Sequence, residues 1–187
     1  IRKIVLIQYS AFDFQLMKCL LDKARECLGL TYPNPVTAAA VVKDGVVVSY
    51  GVHLGPGTDH AEVVAIKNAG DYCVGADLYV NLEPCTHFGQ TPPCTESIIK
   101  AGIKRVFYAM DDPNPKVRHL PAKTVLEEQG ILVRSGLLES DAFELNEVFI
   151  KSIKFKMPFV TLKVGLSLDG KISELPNSRS NITSEAS

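Results

Sequence analysis

Tryptophan is absent from this 187-residue chain, and its lysines and arginines form no basic cluster. A groove that stacks unpaired bases and tracks a phosphate backbone wants both features, so a nucleic-acid partner is not expected. Twenty basic against 21 acidic residues leave a net charge of −1. That balance excludes broad electrostatic adhesion to nucleic acid or to an anionic membrane. Long apolar runs are also missing. A stretch such as Ala38–Val42 falls far short of the ~20 residues a bilayer-spanning helix needs. Near the N-terminus only residues 4–7 are apolar, and no small-residue cleavage site follows them, so no signal peptide is read. The chain begins at Ile1 rather than Met, which suggests that the native start is missing. Internal repeats and low-complexity segments are lacking. The five cysteines, an odd number without a secretory leader, predict a reducing compartment, hence a cytoplasmic location and no disulfide framework.

What is present suffices for an ordinary core, since 46% of residues are apolar and 22% charged. Residues 13–28 carry Phe14, Met17, Leu20, Leu21, Ala24 and Leu28 at helical spacing, with Asp13 placed to cap. "YPNP" (32–35) ends that segment. Residues 37–54 read as a β-hairpin turned at Asp44-Gly45. A helix over 60–69, a buried strand over 77–83 and a helix over 94–101 come next. They are followed by a strand over 104–110, a loop at 111–115, a helix near 121–129, a strand near 131–134 and one long helix near 139–154. Pro158 opens a further strand, "FVTLKVGLSL". The alternation predicts an α/β fold, a mostly parallel mixed sheet with an N-terminal hairpin at one side. Sites in open α/β sheets form beyond the carboxyl ends of strands. The segments 83–94 and 111–115 therefore fall on one rim.

The first of those segments, "LEPCTHFGQTPPC" (82–94), holds Cys85 and Cys94 in a stretch stiffened by three prolines, one before Cys85 and two before Cys94. Two thiols so placed can pack as small apolar residues, pair, or hold a metal. The compartment weighs against pairing, and "DHAE" upstream supplies a third candidate ligand, His60, at the start of a helix. One histidine and two thiolates leave a fourth zinc position for water, the pattern of catalytic zinc rather than of closed structural sites. No equally well placed fourth protein ligand is found. Free N–H groups at the starts of the helices at His60 and Cys94 are expected to lower the cysteine pKa values. Glu62 is then the proton carrier rather than a ligand. H-x-E followed by P-C-x-x-C marks the zinc deaminases, and here the second cysteine follows after residues 86–93 instead of two. Cys19 and Cys27 read as core residues of one helix, and Cys73 has no partner pattern. His53 reads as structural, and His119 is unassigned. His87 is equally well a substrate contact or a loop residue bonded to backbone.

Together "PNP" (33–35), "HAE" (60–62), "LYVNLEPCTHFGQTPPC" (78–94), "RVFYAMDDPNPKV" (105–117) and "MPFVTLKVGLSLDGKI" (157–172) resemble the bifunctional riboflavin-biosynthesis deaminase/reductases of the RibD type, over residues 12–187. The resemblance implies a three-layer α/β/α cytidine-deaminase-like fold. It also implies zinc on His60, Cys85 and Cys94, with Glu62 as proton shuttle, and a pocket lined by Asn34, His87, Asp112 and Asn114. The implied reaction is hydrolysis of the 2-amino group of 2,5-diamino-6-(ribosylamino)-4(3H)-pyrimidinone 5′-phosphate, a small-molecule pyrimidine ribonucleotide. A homo-oligomer is expected. Lys163 and Asp169 match the opening of the family's NADPH-dependent reductase domain. Since a nucleotide-binding domain takes ~100 residues or more, residues 1–154 are expected to form the deaminase domain and 155–187 a reductase stub without NADPH.

Some positions depart from the family pattern. Gln90 stands where a lysine or arginine is usual, and "RHLP" (118–121) replaces a small-residue and lysine pattern. Arg118, with Lys116 as the other candidate, is read as the replacement cation for a 5′-phosphate. The same departures motivate a second reading, a nucleobase or nucleoside deaminase that does not require the phosphate.

Overall fold

In the computed structural model, which describes residues 9–89 and 91–173 and at Lys116 and Arg118 the backbone alone, the first helix starts at Ser10 rather than Asp13. The Ser10 hydroxyl accepts from the Asp13 N–H at 3.2 Å, and the Asp13 carboxylate accepts from the Ser10 N–H at 2.7 Å. This reciprocal capping box sets α1 at Ala11–Arg25, so Asp13 is the third residue of the helix and Leu28 lies beyond it, exposed. The carboxylate of Asp13 also accepts from the Tyr79 hydroxyl at 2.6 Å, tying the helix to the sheet.

The remaining elements are β1 (Ala38–Lys43), β2 (Val46–Val52), α2 (Ala61–Ala69), a 3-10 turn (Gly70–Cys73), β3 (Asp77–Leu82), α3 (Cys94–Lys100), β4 (Arg105–Met110), α4 (Pro115–Arg118), α5 (Ala122–Glu128), β5 (Leu132–Ser135), α6 (Glu139–Leu145) and α7 (Glu147–Phe155). The hairpin turn is as expected, with φ of 51° at Asp44 and 79° at Gly45, the left-handed pair that matches strand twist. The five strands are ordered β2-β1-β3-β4-β5. Because β1 is antiparallel to both its neighbours while β3, β4 and β5 are mutually parallel, β1 alone opposes the other four. Alternate side chains feed two cores. Ala38, Ala40, Tyr79 and Phe107 pack with α1, α6 and α7 on one face. Ala39, Val41, Leu78, Val80 and Val106 pack with α2, α3 and α5 on the other. This is the expected three-layer α/β/α arrangement.

The face carrying α2 is held by close backbone approach. Ala61, Ala65 and Ala69 recur every four residues and are buried. They present a shallow ridge to β2, where Ser49 donates to the Ala65 carbonyl at 2.7 Å. Opposite lies Gly51. A Cβ there would stand 2.1 Å from the Ala61 carbonyl oxygen and 2.4 Å from the Ala65 nitrogen. The first turn of α2, which carries Glu62, is thereby set against the end of β2.

Two asparagine side chains hold the chain leading into β1. Asn81 accepts from Ala38 N–H at 2.8 Å and donates to the Val36 carbonyl at 3.0 Å. Asn146 accepts from Val36 N–H at 2.9 Å. Asn146 is also where the expected single helix over 139–154 divides into α6 and α7. It falls on the apolar face with Ala142, Leu145, Phe149 and Ile150, and its buried amide turns to the backbone of residue 36. The Tyr32–Pro33 peptide is cis.

The chain divides into two compact units, residues 1–157 and 158–187. The strand expected after Pro158 does not form, for residues 158–173 carry neither helix nor strand. A strand needs a hydrogen-bonding neighbour, and the described residues of this unit contain none. They instead make a turn in which Ser167 N–H donates to the Lys171 carbonyl at 2.9 Å. Among the described residues no helix is long and apolar enough to cross a membrane.

Replacing Gly51 by alanine is expected to push α2 off β2 and to cost about 3 kcal/mol or more, because the clash is with backbone that cannot rotate away. Urea denaturation of Gly51→Ala measures this. An unchanged midpoint would show that α2 is not held by that contact.

Candidate active site

The carboxyl ends of β2, β3 and β4 and the amino end of β1 meet at one rim, so residues before β1 join those after the other three strands. A cavity of about 360 Å³ opens there. It is lined by Asn34 before β1, His53 after β2, His60 and Glu62 at the start of α2, Cys85 and His87 after β3, and Asp112 and Asn114 after β4. Cys94, the first residue of α3, lies behind this lining and is fully buried.

His60, Cys85 and Cys94 are the one group of metal-ligating residues found close together among the described residues, their ligand atoms all within 4.8 Å. His60 Nδ1 is 3.1 Å from Cys94 Sγ and 3.5 Å from Cys85 Sγ. Tetrahedral zinc with Zn–N of ~2.1 Å and Zn–S of ~2.3 Å holds nitrogen and sulfur ~3.6 Å apart, so the donor set fits such an ion. His60 caps α2 without a side-chain bond to the helix, which leaves its ring to face the thiols. Cys85 accepts from the Cys94 N–H at 3.2 Å, and the Cys85 carbonyl accepts from Thr95 N–H at 3.3 Å. The start of α3 thus clasps the other cysteine. Of the two cysteines expected to be lowered only Cys85 is, its sulfur taking the Cys94 amide, while the Cys94 thiol is pushed up by its bond with Cys85 and by burial. Bonds from the Cys94 thiol and His60, against burial, draw Cys85 down to about 4, and His60 rises to about 9 chiefly through its bond with Cys85. Protons here are shared among three groups that a cation would hold as two thiolates and a neutral imidazole.

Glu62 is buried in the first turn of α2. Burial, and secondarily the charge at Cys85, pushes its carboxyl up to about 7. Asp112 is likewise raised to about 7 by burial, against the bond its Oδ1 accepts from Asn114 N–H at 2.8 Å. That bond shapes the loop presenting both residues.

Not every expected residue can be placed here. Gln90 and the side chains of Lys116 and Arg118 lie outside the described residues; the backbone of Arg118 ends α4. Lys163 and Asp169 belong to the second unit and are exposed. Buried His87 Nδ1 has no hydrogen-bond partner among the described residues, so it is not bonded to their backbone. Cys73 and Cys27 both pack in the core, Cys27 from the turn after α1 rather than from the helix itself, while Cys19 on the helix is only half-buried.

Two residues given no place in the site by the sequence shape it: His53, read as structural, and Glu83, passed over. His53 is buried and lines the cavity. Burial holds its ring below the ordinary histidine range. Glu83, also buried, accepts from Asp112 N–H at 3.0 Å and from Ala122 N–H at 2.8 Å, bracing the loop after β4 and the start of α5. The legible hint was an acidic residue closing a strand buried at every position, where an unsatisfied charge would be costly.

Residues 10–110 match the cytidine and deoxycytidylate deaminase zinc-binding region, and the chain belongs to that family. Within it, the chain is 51% identical to the riboflavin biosynthesis protein RibD of Bacillus amyloliquefaciens over 91% of its length and 46% of the relative's. It is 44% identical to RibD of Escherichia coli K12 over 82% of its length and 42% of the relative's. A crystal structure of a diaminohydroxyphosphoribosylaminopyrimidine deaminase/5-amino-6-(5-phosphoribosylamino)uracil reductase from Thermotoga maritima superposes with a TM-score of 0.86 at 41% identity, covering 92% of this chain and 50% of that one. The resemblance read from the motifs is borne out. The chain spans about half the length of these relatives.

Glu83→Gln keeps the shape but leaves one of two buried N–H groups without its acceptor. A loss of about 1–3 kcal/mol is expected, with faster amide exchange at Asp112 and Ala122. Hydrogen exchange and denaturation check this, and wild-type protection at both amides would refute the brace.

Proposed function

We propose that this chain hydrolytically removes the 2-amino group of 2,5-diamino-6-(ribosylamino)-4(3H)-pyrimidinone 5′-phosphate in riboflavin biosynthesis, using zinc held by His60, Cys85 and Cys94. The observation that carries the reading is the convergence of one imidazole nitrogen and two sulfurs, beside a buried carboxylate, at the wall of one cavity. A zinc ion bound there supplies Lewis acidity and lowers the pKa of the attacking water toward neutrality.

The chain's own residues do the rest. Glu62, beside the metal ligands and shielded from bulk water, takes the proton of the attacking water and delivers it to the ring nitrogen next to the amino-bearing carbon. The proton of the hydroxyl so added to the carbon then passes through Glu62 to the amino group, the C–N bond breaks, and ammonia leaves a ring carbonyl behind. Asn34, Asp112 and Asn114 offer neutral and charged hydrogen-bonding groups suited to a flat polar ring and ribose hydroxyls, and His87 offers a ring nitrogen without a partner among the described residues. We assign Gln90 and Arg118 to the 5′-phosphate end, and Lys163 and Asp169 to the start of a reductase domain that takes NADPH.

One observation favours the second reading, deamination of a nucleobase or nucleoside without phosphate dependence. Among the described residues lining the cavity are Glu62, Glu83 and Asp112 but no lysine or arginine. Ammonia release from the phosphorylated pyrimidine, its dephosphorylated form and cytidine separates the readings. The leading one requires the phosphorylated compound to be turned over best.

Glu62→Gln should retain one zinc per chain and lose ~10²–10⁴-fold in turnover, whereas Cys94→Ala should lose the metal and activity together. Elemental analysis alongside the ammonia assay checks both. Near-wild-type turnover in Glu62→Gln would remove the proton-carrier role.

A further inference from the structure

The hydrogen bonds around His53 determine which of its nitrogens carries the proton. Its Nδ1 lies 3.0 Å from the Asp59 carbonyl oxygen, which can only accept. At 3.4 Å from the same nitrogen is Thr58 Oγ1, whose own proton goes to the Gly55 carbonyl at 2.7 Å. Both neighbours therefore call for a proton on Nδ1. The Nε2 of the neutral ring is left with its lone pair, and it faces Asn34 Nδ2 at 3.0 Å. An amide nitrogen can only donate, so these three bonds are satisfied by a single arrangement: Asp59 O accepting from Nδ1–H, and Nε2 accepting from the Asn34 amide.

The Asn34 backbone is clamped as well. Its N–H donates to the Thr31 carbonyl at 2.8 Å, and its carbonyl accepts from the Thr31 hydroxyl at 3.0 Å. With backbone and amide nitrogen both engaged, the remaining polar atom of Asn34 is Oδ1. It makes no hydrogen bond among the described residues, and the residue lines the cavity.

We propose that His53 is a positioning residue: its Nδ1–H tautomer holds the Asn34 amide so that Oδ1 faces the cavity, and the pocket at that point reads a hydrogen-bond donor on the ligand. A ligand presenting an N–H or amino group to Asn34 is accepted, and one presenting only a lone pair there is opposed. An amide free to rotate would read either. His53 touches no reacting atom in this account and acts only through Asn34. The ligand side of the inference rests on the deaminase reading above; the tautomer does not.

The test has two arms, both on the zinc-loaded full chain. Heteronuclear NMR of the imidazole nitrogens, with the His53 signals assigned by their absence from His53→Gln, should show the proton on Nδ1. The second arm compares His53→Leu, which can accept nothing from Asn34, with His53→Gln, whose side-chain carbonyl can. His53→Leu should keep its zinc and raise KM for the pyrimidine nucleotide about ten-fold with a smaller change in kcat, and His53→Gln should recover most of that loss. A proton found on Nε2 overturns the proposal, as does an unchanged KM in a correctly folded His53→Leu. If the wild type shows the Nδ1–H tautomer yet does not deaminate the nucleotide, the substrate reading fails and the positioning role of His53 stands.

Discussion

Two sulfurs and an imidazole nitrogen meet at the rim of the sheet from positions 25 and 34 residues apart in the chain. Such a group is costly to bury unless its atoms share protons or a cation, because isolated charges are strongly disfavoured away from water. Much of the rim is arranged around that constraint. Helix α2 lies close enough to β2 that only glycine fits at position 51, which brings His60 and Glu62 to the cavity together. Helix α3 begins at Cys94, so its first N–H can serve the sulfur of Cys85.

The loops around the cavity leave the sheet and cannot draw on its ladder for hydrogen bonds. Buried side chains supply partners instead. Asn81 and Asn146 hold residues 36–38, Glu83 holds the backbone at Asp112 and Ala122, and Asp112 holds Asn114. Each such bond contributes only about 1 kcal/mol net, but breaking one strands a buried group at about 1–3 kcal/mol. The arrangement therefore favours one loop geometry more than it favours overall stability. A pocket that must orient a small polar ring benefits from that rigidity.

Much of this was legible in the residues. The α/β alternation, the hairpin turn, the shared rim and the trio of His60, Cys85 and Cys94 follow from hydrophobic period, Asp-Gly chemistry and metal-ligand type, and the three layers from the family resemblance. Where the reading fell short, a residue's place depended on a partner that the local pattern did not announce. Asp13 was taken for a cap because its place in a box headed by Ser10 depends on the hydroxyl three residues earlier. Asn146 lies in a helical pattern and divides it because the backbone of Val36, 110 positions away, competes for its amide. His53 was read as structural because nothing near it in sequence announces Asn34 as its partner. The apolar alternation after Pro158 reads as a strand, but alternation supplies only a face, and pairing needs a neighbour.

The central claim is that one nitrogen and two sulfurs of this chain bind zinc and leave a position open for water. X-ray absorption at the zinc edge of the purified, metal-loaded protein tests it most directly. The account predicts two sulfur scatterers at ~2.3 Å and two nitrogen or oxygen scatterers at ~2.0–2.1 Å, one of the latter exchangeable with an added anion. A first shell of four sulfurs, or a shell with none, would contradict it.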